Sequence, residues 1–231
     1  MQLYRPVFSS NTLRSTSLKL RPSEPAQTII SSRSTIDTII GETIIGKRKK
    51  ESIVPVKIFI VQSINPCDYY LIDSKNNKLG STTLHIYSPR ENKTYGVEYK
   101  YKKFPGAVYV DEMESLYDDY IGVGNALHEL AVMVAQRAGY QGRVFLDAEK
   151  SSQIFHYKLG FRAMGENHYL KDEAIENEIE KAEKKIRRGI ISSTKEHDTS
   201  RLGPIPMYLP EEAIQEVLKS KTIVFHDTTH Q

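Results

Sequence analysis

The chain has 231 residues, 39% of them hydrophobic, which suffices for one domain with a sizeable core and some extension but not for two full domains. A formal net charge of +3 is too mild to imply nucleic acid or an anionic membrane as a partner. The single cysteine, Cys67, excludes an internal disulfide framework and a cysteine-based metal cluster, and no apolar run is long enough to span a bilayer, so a reducing, cytoplasmic setting is the natural expectation.

Residues 1–50 are rich in Ser, Thr and Arg, poor in acids, and end in Lys47-Arg-Lys-Lys50, a composition that predicts a disordered segment. The pairs Ile29-Ile30, Ile39-Ile40 and Ile44-Ile45 run against that reading and allow short β-like pieces packed on the domain or on a partner. An acid-poor, Ser-rich start also suits organelle import, the apolar stretch of a secretory signal is missing, and non-classical export as a secreted effector stays open. Lys47 to Lys50 reads as a solvated linker ahead of the sharper alternative, a nuclear-import or nucleic-acid patch.

Residues 51–170 hold the core. Tyr69-Tyr-Leu-Ile-Asp73 and Ser81-Thr-Thr-Leu-His-Ile-Tyr87 read as strands around the polar turn Lys75-Asn-Asn-Lys78. Val108-Tyr-Val110 starts another strand, which continues through Met113 and runs out in Tyr117-Asp-Asp-Tyr120. Gly122 and Gly124 then open a helix from Asn125 to Arg137, with Ala126, Leu127, Leu130, Ala131, Val134 and Ala135 at helical spacing and Gly139 as its stop. The unpaired amides and positive dipole end of such a helix, approached over glycine, suit a pyrophosphate; a simple tight turn explains the same residues. Arg143-Val-Phe-Leu-Asp147 is the next strand, Ser151 to Leu159 a short helix ended by Gly160, and Phe161 to Met164 re-enters the sheet.

From Glu173 to Arg188 the residues Ile175, Ile179, Ala182 and Ile186 make one narrow apolar stripe, with Glu180/Lys184 and Glu183/Arg187 spaced for ion pairs. A helix docked on the domain is one account and an oligomer formed through 173–188 the other. Ile205-Pro-Met-Tyr-Leu209 is expected to return as an edge strand, because Pro206 bars a central place, and Pro210 to start a helix through Leu218. Residues 171–231 therefore read as a helical elaboration with a returning strand.

The loop Asp119-Tyr-Ile-Gly-Val-Gly124 and the later Phe155-His-Tyr-Lys-Leu-Gly-Phe161 together resemble the GNAT superfamily of N-acetyltransferases, whose patterns are Q/R-x-x-G-x-G/A and F-Y-x-K-L-G-F. The first motif departs at Asp119 and the second at His156. Over residues 56 to 170 the resemblance implies an α/β fold, a GNAT-like mixed sheet flanked by helices, with acetyl-CoA as the acetyl donor and an amine, on a small molecule or a protein, as the acceptor. Backbone groups of Met113 and Ser115 would then pair with the pantetheine arm, and amides of Tyr120, Ile121, Gly122, Val123, Gly124 and Asn125 would hold the pyrophosphate.

An amine must lose a proton before it attacks a thioester, and a carboxylate or a water held by one is a common solution. Asp111, Glu112 and Glu114 are the candidates; strand alternation puts Glu112 and Glu114 on one face and Asp111 on the other, and Glu112 is preferred. The leaving thiolate needs a proton donor. His156 occupies the family's position for it, with Tyr157 as the fallback, and adjacent helical residues cannot both face the site. His85, His128 and His168 show no metal spacing and read as structural, so no metal is expected. A non-catalytic CoA-binding or protein-interaction module of the same fold is the alternative function.

Overall fold

The computed structural model describes residues 28–30, 36–50, 52–63, 65, 67–87, 106–149, 152–164, 168–192 and 203–226. In chain order these form β1 (Thr28–Ile30), β2 (Ile36–Lys49), β3 (Ser52–Gln62), β4 (Asp68–Ile72), β5 (Lys78–Tyr87), β6 (Ala107–Ser115) and β7 (Tyr120–Ile121). Then come α1 (Val123–Arg137), β8 (Val144–Ala148), α2 (Gln153–Lys158), β9 (Arg162–Ala163), α3 (His168–Arg187), β10 (Ile205–Tyr208), α4 (Glu211–Ser220) and β11 (Val224–Phe225). Among the described residues the strands make one mixed sheet in the order β1-β2-β3-β4-β5-β6-β8-β10-β9, with β7 and β11 laid on β2. The fold is the α/β arrangement of a mixed sheet with helices.

The disorder expected over residues 1–50 does not extend to Ile36–Lys49, which is a 14-residue strand. It pairs with β3 from Thr38↔Gln62 to Lys49↔Ser52, with an irregularity between Ile39 and Gly41. That irregularity shifts the alternation, so Ile39 packs with Val61 and Ile72 on one face of the sheet while Ile45 joins Ile58 and Ile60 on the other. The isoleucine pairs are thus strand residues: Ile39 and Ile45 are buried, Ile40 packs from the other face, and Ile44 is exposed. The other edge of β2 is covered in three pieces, by β1, β11 and β7, which removes most of a long exposed edge. Residues 1–27 lie outside the described residues.

Every pairing on the main path is antiparallel except that of β6 with β8. The connection between those two runs through α1, whose Ala126, Leu127, Leu130, Ala131, Val134 and Ala135 are buried, matching the helical spacing in the sequence. Gly139 ends it with φ 83°, and the Tyr140 amide reaches back to the Ala135 carbonyl at 2.8 Å. Leu127 of α1, Tyr157 of α2, Ile175 of α3 and Ile214 of α4 all belong to or pack on one core cluster. A second cluster on the opposite face gathers Ala107, Phe145 and Met164 with Tyr87, Tyr109 and Tyr208.

The returning strand expected within residues 171–231 is β10. β10 lies between β8 and β9, not at the edge expected from Pro206. Proline is tolerated because the Pro206 carbonyl accepts from the Met164 amide at 2.7 Å, which turns its missing N–H toward the short strand β9 and away from the ladder with β8. Ile205, Met207 and Leu209 are fully buried. The apolar stripe of α3 is docked, with Ile175 and Ala182 at 0% exposure. α3 packs on β9 and α2, and Ile175 and Ile179 join the main core cluster.

Candidate active site

The parallel strands β6 and β8 stay together only over Val108–Val110 and Val144–Leu146. Beyond that point β6 continues to Ser115 on β5 alone. In the β5–β6 ladder Thr83 faces Glu112 while Leu84 faces Val110, so Asp111 is the extra residue of a β-bulge. The Leu116 amide bonds the Leu79 carbonyl at 2.9 Å, which sets the parity: Glu112 and Glu114 direct their peptide groups toward β5, and Met113 and Ser115 direct theirs into the space β8 has left. A row of main-chain donors and acceptors therefore lines the opening.

The same bulge corrects the expected placing of the acids. His85 Nε2 lies 3.7 Å from an Asp111 carboxylate oxygen, and His85 shares its face of β5 with Thr83, the partner of Glu112. Asp111 consequently falls on the same face as Glu112 and Glu114. Simple alternation failed because one residue was inserted into the strand. All three carboxylates are exposed, whereas Met113 on the other face packs against the core.

The turn after β6 is tied down from below. Tyr120 is buried, and its hydroxyl donates to Asp73 Oδ2 at 3.1 Å while accepting from Lys47 Nζ at 2.7 Å. Burial works against the Asp73 carboxylate, yet bonds from the Asn77 side chain and amide, the Lys75 amide and Tyr120 outweigh it and hold its pKa below the usual value. Asp119 accepts the Arg48 amide on its carbonyl at 2.7 Å and turns its carboxylate toward Lys47, 3.9 Å away. Lys47, read from the sequence as part of a solvated linker, is a structural partner of this turn.

Gly122 precedes α1 with φ 96°, and the helix begins at Val123, two residues ahead of the expected Asn125. The first intrahelical bond runs from the Ala126 amide to the Gly122 carbonyl at 2.9 Å. Val123, Gly124 and Asn125 thus carry first-turn amides, and no side chain caps them. Gly124 has a second task that the motif did not disclose. A Cβ there would stand 2.7 Å from Phe155 Cζ, so the missing side chain is what lets α2 pack on the start of α1.

The proton donors do not sit as expected. His156 is 7% exposed, its Nδ1 is buried without a hydrogen-bond partner, and burial pushes its pKa down to about 4. At neutral pH it is an uncharged ring packed against Phe161, with centroids 5.5 Å apart, and not an imidazolium. The Tyr157 hydroxyl donates to Glu176 of α3 under the Arg162 guanidinium, and burial followed by that bond raises its pKa. The opening thus gathers Met113, Ser115, the first-turn amides and, on the outer face, Glu112; His156 and Tyr157 serve the packing of α2. His128 joins them: it is 3% exposed, lies 5.2 Å from the Phe161 ring, and has a pKa lowered to about 4 by burial and by His156. Among the described residues no group of three or more His, Cys, Asp or Glu is placed to hold a metal ion. No described helix is long and apolar enough to cross a membrane.

No family model matches the chain, and no curated protein matches it. Solved structures that the chain matches include the following three. A bacterial toxin matches 71% of this chain and 73% of its own at 15% identity and a TM-score of 0.40. Chaetomium thermophilum Naa20, in complex with a bisubstrate analogue, matches 68% and 71% at 15% identity and a TM-score of 0.38. Nourseothricin acetyltransferase matches 80% of this chain and 96% of its own at 13% identity and a TM-score of 0.35.

Proposed function

We propose that the domain binds acetyl-CoA in the opening between β6 and β8 and transfers its acetyl group to an amine, on a small molecule or a protein. The observation that supports this reading most is the parting of β6 from β8 beside the N-terminus of α1. A pantetheine arm is peptide-like and pairs with a free strand edge, which Met113 and Ser115 provide; a pyrophosphate suits the first-turn amides of Val123, Gly124 and Asn125. Tyr120 and Ile121 hold the turn in place through β2. The chain's residues thus fit such a donor.

In this reading Glu112, directly or through a water, takes the proton of the attacking ammonium so that the nitrogen lone pair reaches the thioester carbon. The C–N bond forms, the nitrogen sheds its second proton to solvent as the C–S bond breaks, and the thiolate takes a proton from solvent. His156 is uncharged and Tyr157 is engaged with Glu176. That last observation favours the second reading, a module that binds CoA without turnover. Release of free thiol from acetyl-CoA in the presence of a panel of amines separates the two. Turnover that falls on the order of 10²-fold in Glu112→Gln supports the enzyme; binding of acetyl-CoA with no thiol released by any amine supports the module. Absence of binding contradicts both.

A further inference from the structure

A cavity of about 340 Å³ opens at the far end of α1 from the β6–β8 gap, between that helix, the sheet and the C-terminal strand β11. Its walls divide into two chemistries. Ile40, Ile86, Val134 and Phe225 make an apolar lining, and Arg137, Tyr69 and His226 bring nitrogen and hydroxyl groups to the same space.

The polar groups point to one kind of guest. The Arg137 guanidinium stacks on Phe225, 4.4 Å from its centroid, and has no carboxylate partner among the described residues. Tyr69 accepts a bond from Gln62 Nε2 at 3.2 Å, which leaves its own O–H to give. His226 turns Nε2 toward Glu42, 3.7 Å away, while its Nδ1 is buried without a partner. Two donors and an unsatisfied ring nitrogen therefore converge in a site with one positive charge and an apolar remainder. The buried Tyr69 hydroxyl and His226 Nδ1 are costly to leave unpaired, and the exposed Arg137 adds its charge at the rim.

We propose that this cavity binds an amphipathic carboxylate, its head on Arg137 and Tyr69 and its hydrocarbon part against Ile40, Ile86 and Val134. The site is held open by the C-terminal strap, which Glu129 of α1 anchors by accepting from the Ile223 amide at 2.7 Å and the Thr222 hydroxyl at 2.9 Å. A carboxylate accepts from the guanidinium and the phenol at once and neutralises the positive charge; an ammonium is repelled by it and an alcohol leaves it uncompensated.

The test uses the full chain and sodium octanoate at submicellar concentration in calorimetric titration and thermal shift, with octylammonium and acetate as controls. Saturable octanoate binding, with neither control matching it, is expected. Arg137→Gln, a change at an exposed helix position, should weaken octanoate binding at least tenfold while circular dichroism and the response to acetyl-CoA stay as in the parent. Tyr69→Phe should weaken it less. Octanoate that does not bind, that binds equally to Arg137→Gln, or that octylammonium equals overturns the proposal.

Discussion

Asp73, Tyr120 and Lys47 make the most consequential set of side-chain bonds near the candidate site. Removing the Tyr120 hydroxyl leaves a buried carboxylate short of a donor, so Tyr120→Phe should cost about 1–3 kcal/mol in denaturant unfolding and weaken acetyl-CoA binding through the turn. An unchanged unfolding midpoint would show that the hydroxyl is not needed. His128 and His156 make a second testable pair. Both have folded pKa values near 4 against an ordinary 6.5, so the unfolded chain binds more protons between those values. Their contribution is intact above pH 6.5 and is lost as pH falls from 6.5 toward 4. By pH 5 that loss is on the order of 2 kcal/mol per histidine. His156→Phe should reduce the acid sensitivity of the unfolding midpoint by half or more, since His156 also lowers the pKa of His128, and leave any acetyl transfer near the parent rate, because the ring is buried in packing against Phe161. A large fall in kcat would restore the catalytic assignment. The sequence located His156 and Tyr157 at a motif position. It did not disclose which way the helix faces, since that depends on Phe161 and Glu176 from other elements.

At the scale of elements, the start of α1 and the length of α2 are fitted to each other through Gly124 and Phe155. Gly124→Ala adds a methyl 2.7 Å from the tip of the partly buried Phe155 ring, which should destabilise the fold by about 1 kcal/mol as the ring is displaced, the helix propensity of alanine offsetting part of the cost. Combining it with Phe155→Leu should recover part of that loss. Full additivity of the two changes would mean that the contact does not control the packing. The order strand, glycine turn, helix, strand, short helix was legible from periodicity and from the glycines, because it is local. The bulge at Asp111 was not, because it is defined only by the register with β5. For the same reason the face on which the acids lie had to come from pairing.

Across the whole molecule, the ends of the chain close the sheet. β2 supplies Thr43 and Ile45 to the interior and holds β7 beneath the candidate site, while β10 is inserted beside β8 and β11 lies on β2. Deleting residues 1–50 should therefore abolish cooperative unfolding, where composition alone had suggested a dispensable tail; a soluble, cooperatively folding product would return the segment to the periphery. The low acid content and Ser-rich composition of residues 1–50 masked β2, and the β11 partner that covers its other edge comes from the far end of the chain.

The central claim is that acetyl-CoA lies along β6 where β8 departs, and hydrogen exchange resolved by residue tests it most directly. On adding acetyl-CoA to the full chain, the amides of Met113 and Ser115 and those of Val123 to Asn125 should slow together, with little change around Arg137 and Phe225. Protection confined to another part of the sheet, or no protection at saturating acetyl-CoA, would contradict it.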